Sequence, residues 1–282
     1  MAIKNYAALM KRYSDQPFAE IFAHFPYDGE NGETWETPYA NLANNLAKQE
    51  DWHFQKPEFK NKYKQQFPIL TNYLSYTFLR AQELKLISFS KDGDKACFNT
   101  GLQTKDEKDI FALFFRNKES VKYKAPDWTF YTFADSYSHK LSPYKPLPEL
   151  PTYITDPADL VFNTKLDIDI NYEHIIDENK ERLPAVLQAN RRLALTSISG
   201  AIESIKSKVA RNYKVAIPNW YSGKVQLLLP LNLTDDYNAD VALVVDRDDE
   251  RNIYRARTIL TMDLAYIDAR LITRPDREWL NP

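Results

Sequence analysis

The sequence predicts an α+β fold with a helical N-terminal region, a β-hairpin, a long basic helix and a C-terminal antiparallel β-meander. Apolar residues recur at helical spacing over 68–83 and again along 184–213, which predicts two amphipathic helices. Three later segments, 224–231, 240–246 and 252–263, are short, apolar and separated by polar turns, which is typical of antiparallel strands. A chain of 282 residues is long enough for one large domain or two ordinary ones.

Composition argues against several classes of protein. With 44% hydrophobic and 27% charged residues the chain is typical of a globular protein, and a formal net charge of -2 provides no overall basic field for nucleic acid. Six glycines are few for dinucleotide-binding or phosphate-cradling loops. Cys97 is the only cysteine, which excludes an internal disulfide and a cysteine-based zinc site. Because no run approaches the ~20 apolar residues of a membrane span, we expect a cytoplasmic protein with no membrane partner.

Residues 1–140 are predicted to form a helical and β-hairpin region. Residues 4–48 have a helical pattern, and a stronger helix is predicted at 68–83. Four strands are predicted after it, at 84–89, 95–99, 109–115 and 128–134. The first two are joined by the hairpin turn sequence Lys91-Asp92-Gly93-Asp94. The order helix, helix, hairpin is that of a winged-helix module, although many folds that do not bind DNA share it.

A proline-rich connector is predicted at 141–159, before an α+β core at 160–282 that holds the candidate site. Its prolines exclude a regular helix, and they are Pro143, Pro146, Pro148, Pro151 and Pro157. The connector also carries apolar side chains such as Tyr144 and Leu147. It is therefore either a boundary between two domains or an ordered strap across one continuous domain.

The core is predicted to begin with a strand at 160–170 and to contain the long helix at 184–213, which is basic. The helix has an apolar stripe of Leu195, Ile198, Ile202, Ile205 and Val209, and Arg191 is predicted to lie on the same buried stripe one turn earlier. Between residues 180 and 224 the chain has nine lysines and arginines and only two acidic residues. Such clustering indicates a phosphate-bearing partner or, alternatively, a solvated helix face.

Two aspartates follow apolar runs in the closing meander. Asp246 ends one predicted strand and Asp263 ends the next. Strict alternation along 252–263 places Arg257 and Asp263 on one face of the sheet. If Asp246 lies beside them, the group could hold Mg²⁺ or Mn²⁺ with a phosphate, or act as acid and base. A structural salt bridge at the edge of the sheet would use the same residues.

Many short motifs in this chain occur in an order that resembles a known family. They are Phe98-Asn99-Thr100-Gly101-Leu102, His174-Ile175-Ile176, Asn179, Arg182-Leu183-Pro184, Arg211-Asn212-Tyr213-Lys214-Val215-Ala216-Ile217-Pro218, Gln226-Leu227-Leu228-Leu229-Pro230-Leu231, Ala242-Leu243-Val244-Val245, Thr258-Ile259-Leu260-Thr261-Met262-Asp263-Leu264-Ala265-Tyr266 and Ala269-Arg270-Leu271. From about residue 35 onward the chain resembles the family called domain of unknown function 3825. The resemblance implies a family found in bacteria and some eukaryotes, sometimes joined to cold-shock or other RNA-binding domains. An RNA or nucleotide partner is therefore expected. Asp268 stands where the family pattern has an amide, and Asn219 where it has glutamine.

The resemblance also indicates which residues are expected to form a functional site. His174, the only histidine in these motifs, is expected to act as a general base beside the catalytic candidates Asp246 and Asp263. The residues expected to bind phosphate are Asn99, Thr100, Arg191, Arg211, Lys214, Arg257 and Arg270. Further polar residues expected at the site are Asn179, Arg182, Asn212 and Tyr266. Strand ends, turns and helix termini use the same residue types for structural reasons.

Three functions are compatible with these patterns. The leading hypothesis is a hydrolase that acts on a phosphodiester or pyrophosphate bond of a nucleotide or an RNA end, with a divalent ion held by Asp246 and Asp263. The second is a non-catalytic module that binds RNA or a nucleotide. The third is a scaffold protein of a stress or phage-defence system, in which the charged residues form internal salt bridges. The sequence leaves the oligomeric state open.

Overall fold

The computed structural model describes residues 4–11, 16–26, 36–54, 56–63 and 65–273. The strands are β1 Ala23–His24, β2 Ser88–Phe89, β3 Lys95–Gln103, β4 Asp109–Arg116, β5 Trp128–Asp135, β6 Ile168–Asp169, β7 Ile217–Tyr221, β8 Lys224–Leu231, β9 Val241–Asp248 and β10 Ile253–Thr261. The α-helices are α1 Thr37–Asn41, α2 Pro57–Lys62, α3 Pro68–Glu83, α4 Ser120–Tyr123, α5 Ala185–Gln188, α6 Arg191–Arg211 and α7 Met262–Ala269. Short 3-10 turns lie at Phe18–Glu20, His139–Leu141, Pro157–Leu160, Lys180–Arg182 and Tyr213–Val215, and π-helical turns at Leu42–Leu46 and Glu173–Glu178.

The chain divides into two compact units. The first comprises Met1–His53 and Lys62–Thr152, and the second comprises Phe54–Asn61 and Tyr153–Pro282. Each unit contains a five-stranded sheet, in the order β1-β5-β4-β3-β2 in the first and β6-β10-β9-β8-β7 in the second. The chain thus passes through helices, a hairpin, a long helix and a closing antiparallel meander, and the predicted α+β fold is confirmed.

Helix α3 is the longest helix of the first unit and has its predicted bounds. Pro68 occupies its first turn, where the missing N–H of proline removes no helical hydrogen bond. Phe78 is fully buried, and its ring contacts those of Phe22 and Phe98 with centroids 4.7 and 5.6 Å away. The predicted hairpin of β2 and β3 continues through β4 and β5 into the five-stranded sheet.

The start of the first unit is extended where helix was predicted. Ala8 bridges Ile21 in a parallel pairing, and β1 pairs parallel with β5. Tyr6 and Phe22 are buried in this arrangement, and their rings meet edge to face. A helical pattern over so few residues adds little intrinsic stability, so the burial of aromatic side chains decides the conformation of 4–11 and 16–26.

Part of the proline-rich segment is an ordered strap in the first unit. Leu141, Tyr144 and Leu147 pack with Cys97 and Phe111 in a small apolar cluster on one face of the first sheet. The boundary between the two units falls farther along the same segment, between residues 152 and 153.

The second unit has its core between helix α6 and the second sheet. Ile198, Ile202 and Val209 of α6 are buried together with Leu229 of β8 and Leu243 of β9. Helix α7 packs against β7, β9 and β10. Within the described ranges, no helix has both the length and the apolar character that crossing a membrane would require.

Helix α6 is shorter than the predicted helix over 184–213. The side-chain oxygen of Asn190 accepts a hydrogen bond from the backbone N–H of Leu193 at 3.1 Å, so Asn190 is the N-cap and separates α5 from α6. Arg191 is consequently the first helical residue and is exposed, instead of lying on the buried stripe. Its guanidinium pairs with Asp177 at 3.0 Å.

Two predicted strand boundaries also differ from the structure. The strand predicted at 160–170 is reduced to β6, because Pro157–Leu160 is a 3-10 turn capped by Asp156 and a second turn follows, in which Oδ1 of Asn163 accepts a hydrogen bond from the N–H of Lys165 at 3.1 Å. The last strand ends at Thr261, and Met262 begins α7. Asp263 therefore lies in the first turn of a helix and not at the end of a strand.

Candidate functional site

Strand β10 contains a β-bulge at Arg257. Ala256 pairs with Val245 and Thr258 pairs with Val244, so Arg257 is an extra residue in the ladder. An extra residue inverts the alternation of side chains beyond it. Ala256 packs on the hydrophobic core before the bulge, and Ile259 packs on the same core after it. The strict alternation predicted for 252–263 is therefore wrong beyond Arg257.

A row of polar side chains crosses four strands beside this bulge. Asn219 of β7 pairs with Gln226 of β8, the β8–β9 register places Gln226 beside Asp246, and Asp246 pairs with Arg255 of β10. Directly paired residues in antiparallel strands point to the same face. Asn219, Gln226 and Asp246 are only 2%, 8% and 5% exposed, so these polar side chains are buried. We call this group of side chains, which includes Arg255, the polar row.

Two arginines at the end of this row are each held by an aspartate. Nε of Arg257 donates to Oδ1 of Asp246 at 2.9 Å, and the guanidinium of Arg255 pairs with Asp248. The arginine side chains are 43% and 41% exposed, whereas the aspartate side chains are 6% and 11% exposed. A hydrogen bond from the backbone N–H of Arg251, reinforced by the Arg255 guanidinium, holds the pKa of Asp248 below its usual range.

The polar row is not fully satisfied by the residues that the structure describes. Oδ1 of Asn219 and Nε of Arg255 are buried, and neither has a hydrogen-bond partner among those residues. One of these atoms is an acceptor and the other a donor. Buried polar atoms in native proteins are nearly always paired with protein, water or ligand, so each of these two atoms requires a partner that the described residues do not supply.

His174 lies at the edge of β10 and contacts the bulge. Its Nε2 is 2.9 Å from the carbonyl oxygen of Arg257, and its Nδ1 is 2.6 Å from Oε2 of Glu178. A carbonyl oxygen only accepts, so Nε2 is the donor in the first hydrogen bond. Both ring nitrogens are therefore engaged in contacts within the protein. These contacts fit a role in positioning the bulge better than the predicted role of general base.

Asn179 and Arg182 extend the contact along the same edge. Oδ1 of Asn179 accepts from the Thr258 hydroxyl at 3.1 Å, and its Nδ2 donates to the carbonyl of His174 at 2.8 Å. Arg182 donates to the carbonyl of Ile259 at 2.7 Å and to Thr258 at 3.0 Å. The structure thus brings together five of the predicted site residues, namely His174, Asn179, Arg182, Asp246 and Arg257.

Asp263 lies apart from Asp246. Thr261 pairs with Val241, so the start of α7 lies at the opposite end of β9 from Asp246. Five residues of strand separate Val241 from Asp246, about 17 Å at ~3.3 Å per residue. A divalent ion requires its ligands within about 2.6 Å, so this register does not allow one ion to be shared by the two carboxylates.

Three further positions named in the sequence analysis, Tyr266, Asp268 and Arg270, lie in helix α7 or at its C-terminal end. Tyr266 is buried, with its ring centroid 6.5 Å from that of Phe54, and Arg270 is the C-cap of the helix. Asp268 is partly buried, and its burial raises the pKa of the carboxyl group to about 7. No three histidines, cysteines or acidic residues within the described residues are grouped as a metal site.

The remaining basic candidates flank the two ends of α6. Arg191 and Arg211 are separated by the whole helix, about 30 Å for 21 residues at 1.5 Å each. Arg211 donates to the carbonyl of Ser207 at 2.8 Å, and Oδ1 of Asn212 accepts from the N–H of Lys214 at 3.1 Å. These residues cap the last turn of the helix and the 3-10 turn that follows it, and the two ends of α6 are too far apart to bind one phosphate.

Asn99 and Thr100 lie in the first unit, inside β3. Oδ1 of Asn99 accepts from the N–H of Gly101 at 2.9 Å, and its Nδ2 donates to Asp109 at 3.2 Å. The Thr100 hydroxyl donates to the carbonyl of Ile110 at 2.6 Å. Both side chains are buried, and they support the irregular backbone around Gly101, which has a φ of +74°.

Sequence reasoning missed Arg255, Gln226, Thr258 and Glu178 as members of this cluster. One signal could have found Gln226. The two-residue turn Ser222-Gly223, with positive φ at both residues, fixes the β7–β8 register and places Asn219 opposite Gln226. The position of Arg255 relative to Arg257 depends on the bulge, for which the sequence carries no comparable mark.

Comparison with known proteins returns one family. No curated protein and no solved structure matches this chain. A family model described as a domain of unknown function, DUF3825, matches residues 43–279, which include all five of the predicted site residues at the bulge. This chain belongs to the DUF3825 family.

Proposed function

We propose that this chain binds a nucleotide or an RNA end at the polar row, with the phosphate held by Arg255 and Arg257. The observation that carries the proposal is the pair of half-exposed guanidiniums, each oriented by a largely buried aspartate. Arginine has five N–H donors in a fixed plane, and only one donor of Arg257 is used by Asp246. The remaining donors suit the oxygens of a phosphate.

The amides of the same row support a nucleotide rather than a simple phosphate ion. Asn219 and Gln226 each carry a donor and an acceptor, as does the hydrogen-bonding edge of a nucleobase. Within the described ranges, Oδ1 of Asn219 and Nε of Arg255 have no hydrogen-bond partner, so the row contains one further acceptor and one further donor. A ligand with phosphate at one end and a base at the other would use both parts of the row.

A thermal-shift experiment tests this proposal. The full chain is melted with nucleoside phosphates, dinucleotides and short RNAs, with and without Mg²⁺ or Mn²⁺, and the same series is run on Arg257→Ala. A ligand at about 100 times its Kd stabilises the folded state by about 2.7 kcal/mol. We expect a shift that is lost in Arg257→Ala.

Arg247→Ala is the matched control for this experiment. Arg247 lies on β9 next to Asp246, its side chain is 38% exposed, and it pairs with Asp249 at 2.8 Å. It neighbours Tyr254 in the ladder and so points away from the polar row. The control should keep the ligand shift. Absence of a shift with every nucleotide and RNA would refute the proposal and leave the scaffold protein as the remaining hypothesis.

Hydrolysis of a phosphodiester or pyrophosphate bond is the second candidate, and one observation favours it. The pKa of Asp268 is raised to about 7, so this carboxyl group can both donate and accept a proton near neutral pH. The test is product release from the ligand that gives a thermal shift, with Asp268→Asn as the variant. Turnover lost while the thermal shift is kept would support a hydrolase, and binding without any turnover would support the binding module.

The setting that we propose for this activity is the cytoplasm. Cys97, the single cysteine, is fully buried, and its burial raises the pKa of the thiol. A chain whose one thiol is buried and inert needs no oxidising compartment to fold. Localisation of a tagged full chain would test this expectation.

A further inference from the structure

A second β-bulge exposes an aromatic pair on the first sheet. Phe114 pairs with Phe130 and Leu113 pairs with Thr132, so Tyr131 is an extra residue in β5. The bulge turns its ring toward Phe115, and the ring centroids are 4.5 Å apart. Tyr131 is 45% exposed and Phe115 is 40% exposed. The two rings therefore form a contiguous exposed aromatic patch, and such patches mark interaction sites when they are large.

The pair lies on the partly covered face of this sheet. Phe115 shares a ladder position with Lys95, on the same face as the buried cluster that contains Cys97 and Leu113. Leu141 and Tyr144 cover that cluster. Toward the end of β4 at Arg116 the face carries the exposed rings instead, so the strap leaves one section of the sheet open.

Two lysines flank the exposed rings. Nζ of Lys140 is 5.0 Å from the Tyr131 ring centroid, and Nζ of Lys95 is 5.9 Å from that of Phe115. Neither lysine forms an ion pair within the described part of the chain. The surface therefore combines stacking faces with two lysine ammonium groups, of which Lys95 also interacts electrostatically with Asp92, although the chain as a whole carries a formal net charge of -2.

A cleft adjoins the aromatic pair. It has a volume of about 320 Å³ and is lined by Tyr131 together with Pro38, Asn41, Thr132 and Phe133. That volume lies at the lower end of the range for small-molecule sites. Its lining offers apolar surface and, from Asn41 and Thr132, polar groups that can contact the edge of a flat ring.

We propose that this surface of the first unit, formed by Phe115, Tyr131, Lys95 and Lys140, binds single-stranded nucleic acid. Unpaired bases stack on the two rings, one base enters the cleft, and the lysines neutralise the backbone. Sequence-tolerant single-strand binding uses this combination of aromatic platforms and a positive groove. The inference does not rest on the nucleotide site of the second unit, because it uses none of the residues of that site.

The test is fluorescence anisotropy of the full chain with labelled oligouridylate and oligothymidylate of about 12 nucleotides, within the span of known single-strand sites. Oligomers without a terminal phosphate are used, so that the nucleotide site proposed at the polar row of the second unit does not contribute. We expect Tyr131→Ala to weaken binding by about tenfold or more. Lys140→Glu should weaken it further at low salt and lower the salt dependence, because backbone contacts release counterions.

Tyr137→Ala is the matched control. Tyr137 is 74% exposed and also has a lysine over its ring, Lys108 at 4.8 Å. It follows β5 beside the opposite end of β4, about 20 Å from Phe115 at ~3.4 Å per residue. Its removal should leave the affinity for both oligomers unchanged. Melting curves of each variant confirm folding, and Lys140→Glu tests the surface even if Tyr131→Ala does not fold, because Lys140 is exposed.

The binding measurements have several possible outcomes, and each one supports or overturns the proposed single-strand site. A preference for oligouridylate identifies RNA as the ligand, and equal binding identifies single strands of either kind. No binding by the wild-type chain, or unchanged binding by both Tyr131→Ala and Lys140→Glu, overturns the proposal. Equal affinity for a duplex overturns it as well, and equal competition by polyglutamate reassigns the surface to an acidic protein segment. Loss of binding only in Arg257→Ala would assign the binding of the oligonucleotide to the polar row of the second unit and overturn the proposal.

Discussion

The carboxylate of Asp246 lies 2.9 Å from Nε of Arg257, and its side chain is 6% exposed whereas that of Arg257 is 43% exposed. The pair is therefore asymmetric. The buried carboxylate of Asp246 has the Arg257 guanidinium as its charged partner, whereas the guanidinium also contacts water. Removing one partner should have a different effect from removing the other.

Arg257→Ala should lower the free energy of unfolding by about 1–3 kcal/mol, because it leaves a buried carboxylate without its charged donor. Asp246→Asn should cost less, since the amide oxygen can still accept from Nε. Chemical denaturation of both variants measures the difference. Arg247→Ala, which breaks a pair with the 80% exposed Asp249, should stay within about 0.5 kcal/mol of the wild type. Equal losses in Arg257→Ala and Arg247→Ala would show that burial of Asp246 does not matter.

His174→Ala should lower stability by about 1 kcal/mol by removing the donor to the Arg257 carbonyl. His174→Gln should recover part of this loss, because a glutamine amide can donate to the same oxygen. Hydrogen exchange of β10 measures whether the edge opens. If His174 were instead a general base, both variants would lose turnover of a hydrolysed ligand and keep normal exchange in β10.

Gly101→Ala should be strongly destabilising for two reasons. The glycine has a φ of +74°, which costs other residues about 1 kcal/mol or more, and an added Cβ would lie 2.5 Å from the hydroxyl oxygen of Tyr73. Gly93→Ala isolates the first effect, because Gly93 has a φ of +73° and no atom within 4 Å of the new Cβ. We expect thermal melting to rank Gly101→Ala well below Gly93→Ala, and Tyr73→Phe to restore part of the loss in Gly101→Ala. Equal melting temperatures for the two alanine variants would disprove the close approach of Tyr73.

Asp268→Asn should stabilise the chain in a pH-dependent manner. Burial raises the pKa of the folded-state carboxyl from its ordinary value of 3.8 to about 7. The folded state thus retains a proton that the unfolded state loses, so stability falls as pH rises from about 4 to about 7 and then levels off. Asparagine, the residue type expected from the family pattern, removes this loss. The gain should be near zero at about pH 4 and reach at most about 4 kcal/mol at about pH 8, at 1.36 kcal/mol per pKa unit.

Unfolding curves at both pH values measure the effect of Asp268→Asn, and Asp235→Asn is the control of opposite sign. Hydrogen bonds from Asn238 and from the backbone N–H of Tyr237 lower the pKa of Asp235. Its contribution is present above the unfolded pKa and is lost as the pH falls, so Asp235→Asn should destabilise only at the higher pH. A pH-independent gain in Asp268→Asn would show that folding does not raise the pKa of Asp268.

The fold was largely predictable from local patterns, and the site only in part. Helix α3 and the strands of the closing meander follow from periodicity and turn residues, which act within a few positions of sequence. Asp246 and Arg257 were identified because charged residues within or beside apolar strands need partners. The bulge at Arg257 was not predicted, because an extra residue in one strand depends on pairing with another strand.

The error at Asp263 has the same origin. The run from Thr258 to Leu264 has no glycine or proline, and nothing in it marks the change from strand to helix at Met262. The prediction extended strict alternation through the bulge and past Met262. It therefore placed Asp263 on the same face as Arg257. Tertiary pairing, and not propensity, determined both features.

The contacts that His174 and Arg182 make to β10 have a consequence for association between chains. In the described part of the chain β6 pairs with β10 only at Tyr254 and Arg255, and side chains engage the carbonyl groups of Arg257 and Ile259 farther along. An open strand edge is a template on which a strand of another molecule can add. Because side chains occupy these acceptors, this edge is protected against strand addition, and loss of His174 or Arg182 should make the protein more prone to aggregate at high concentration.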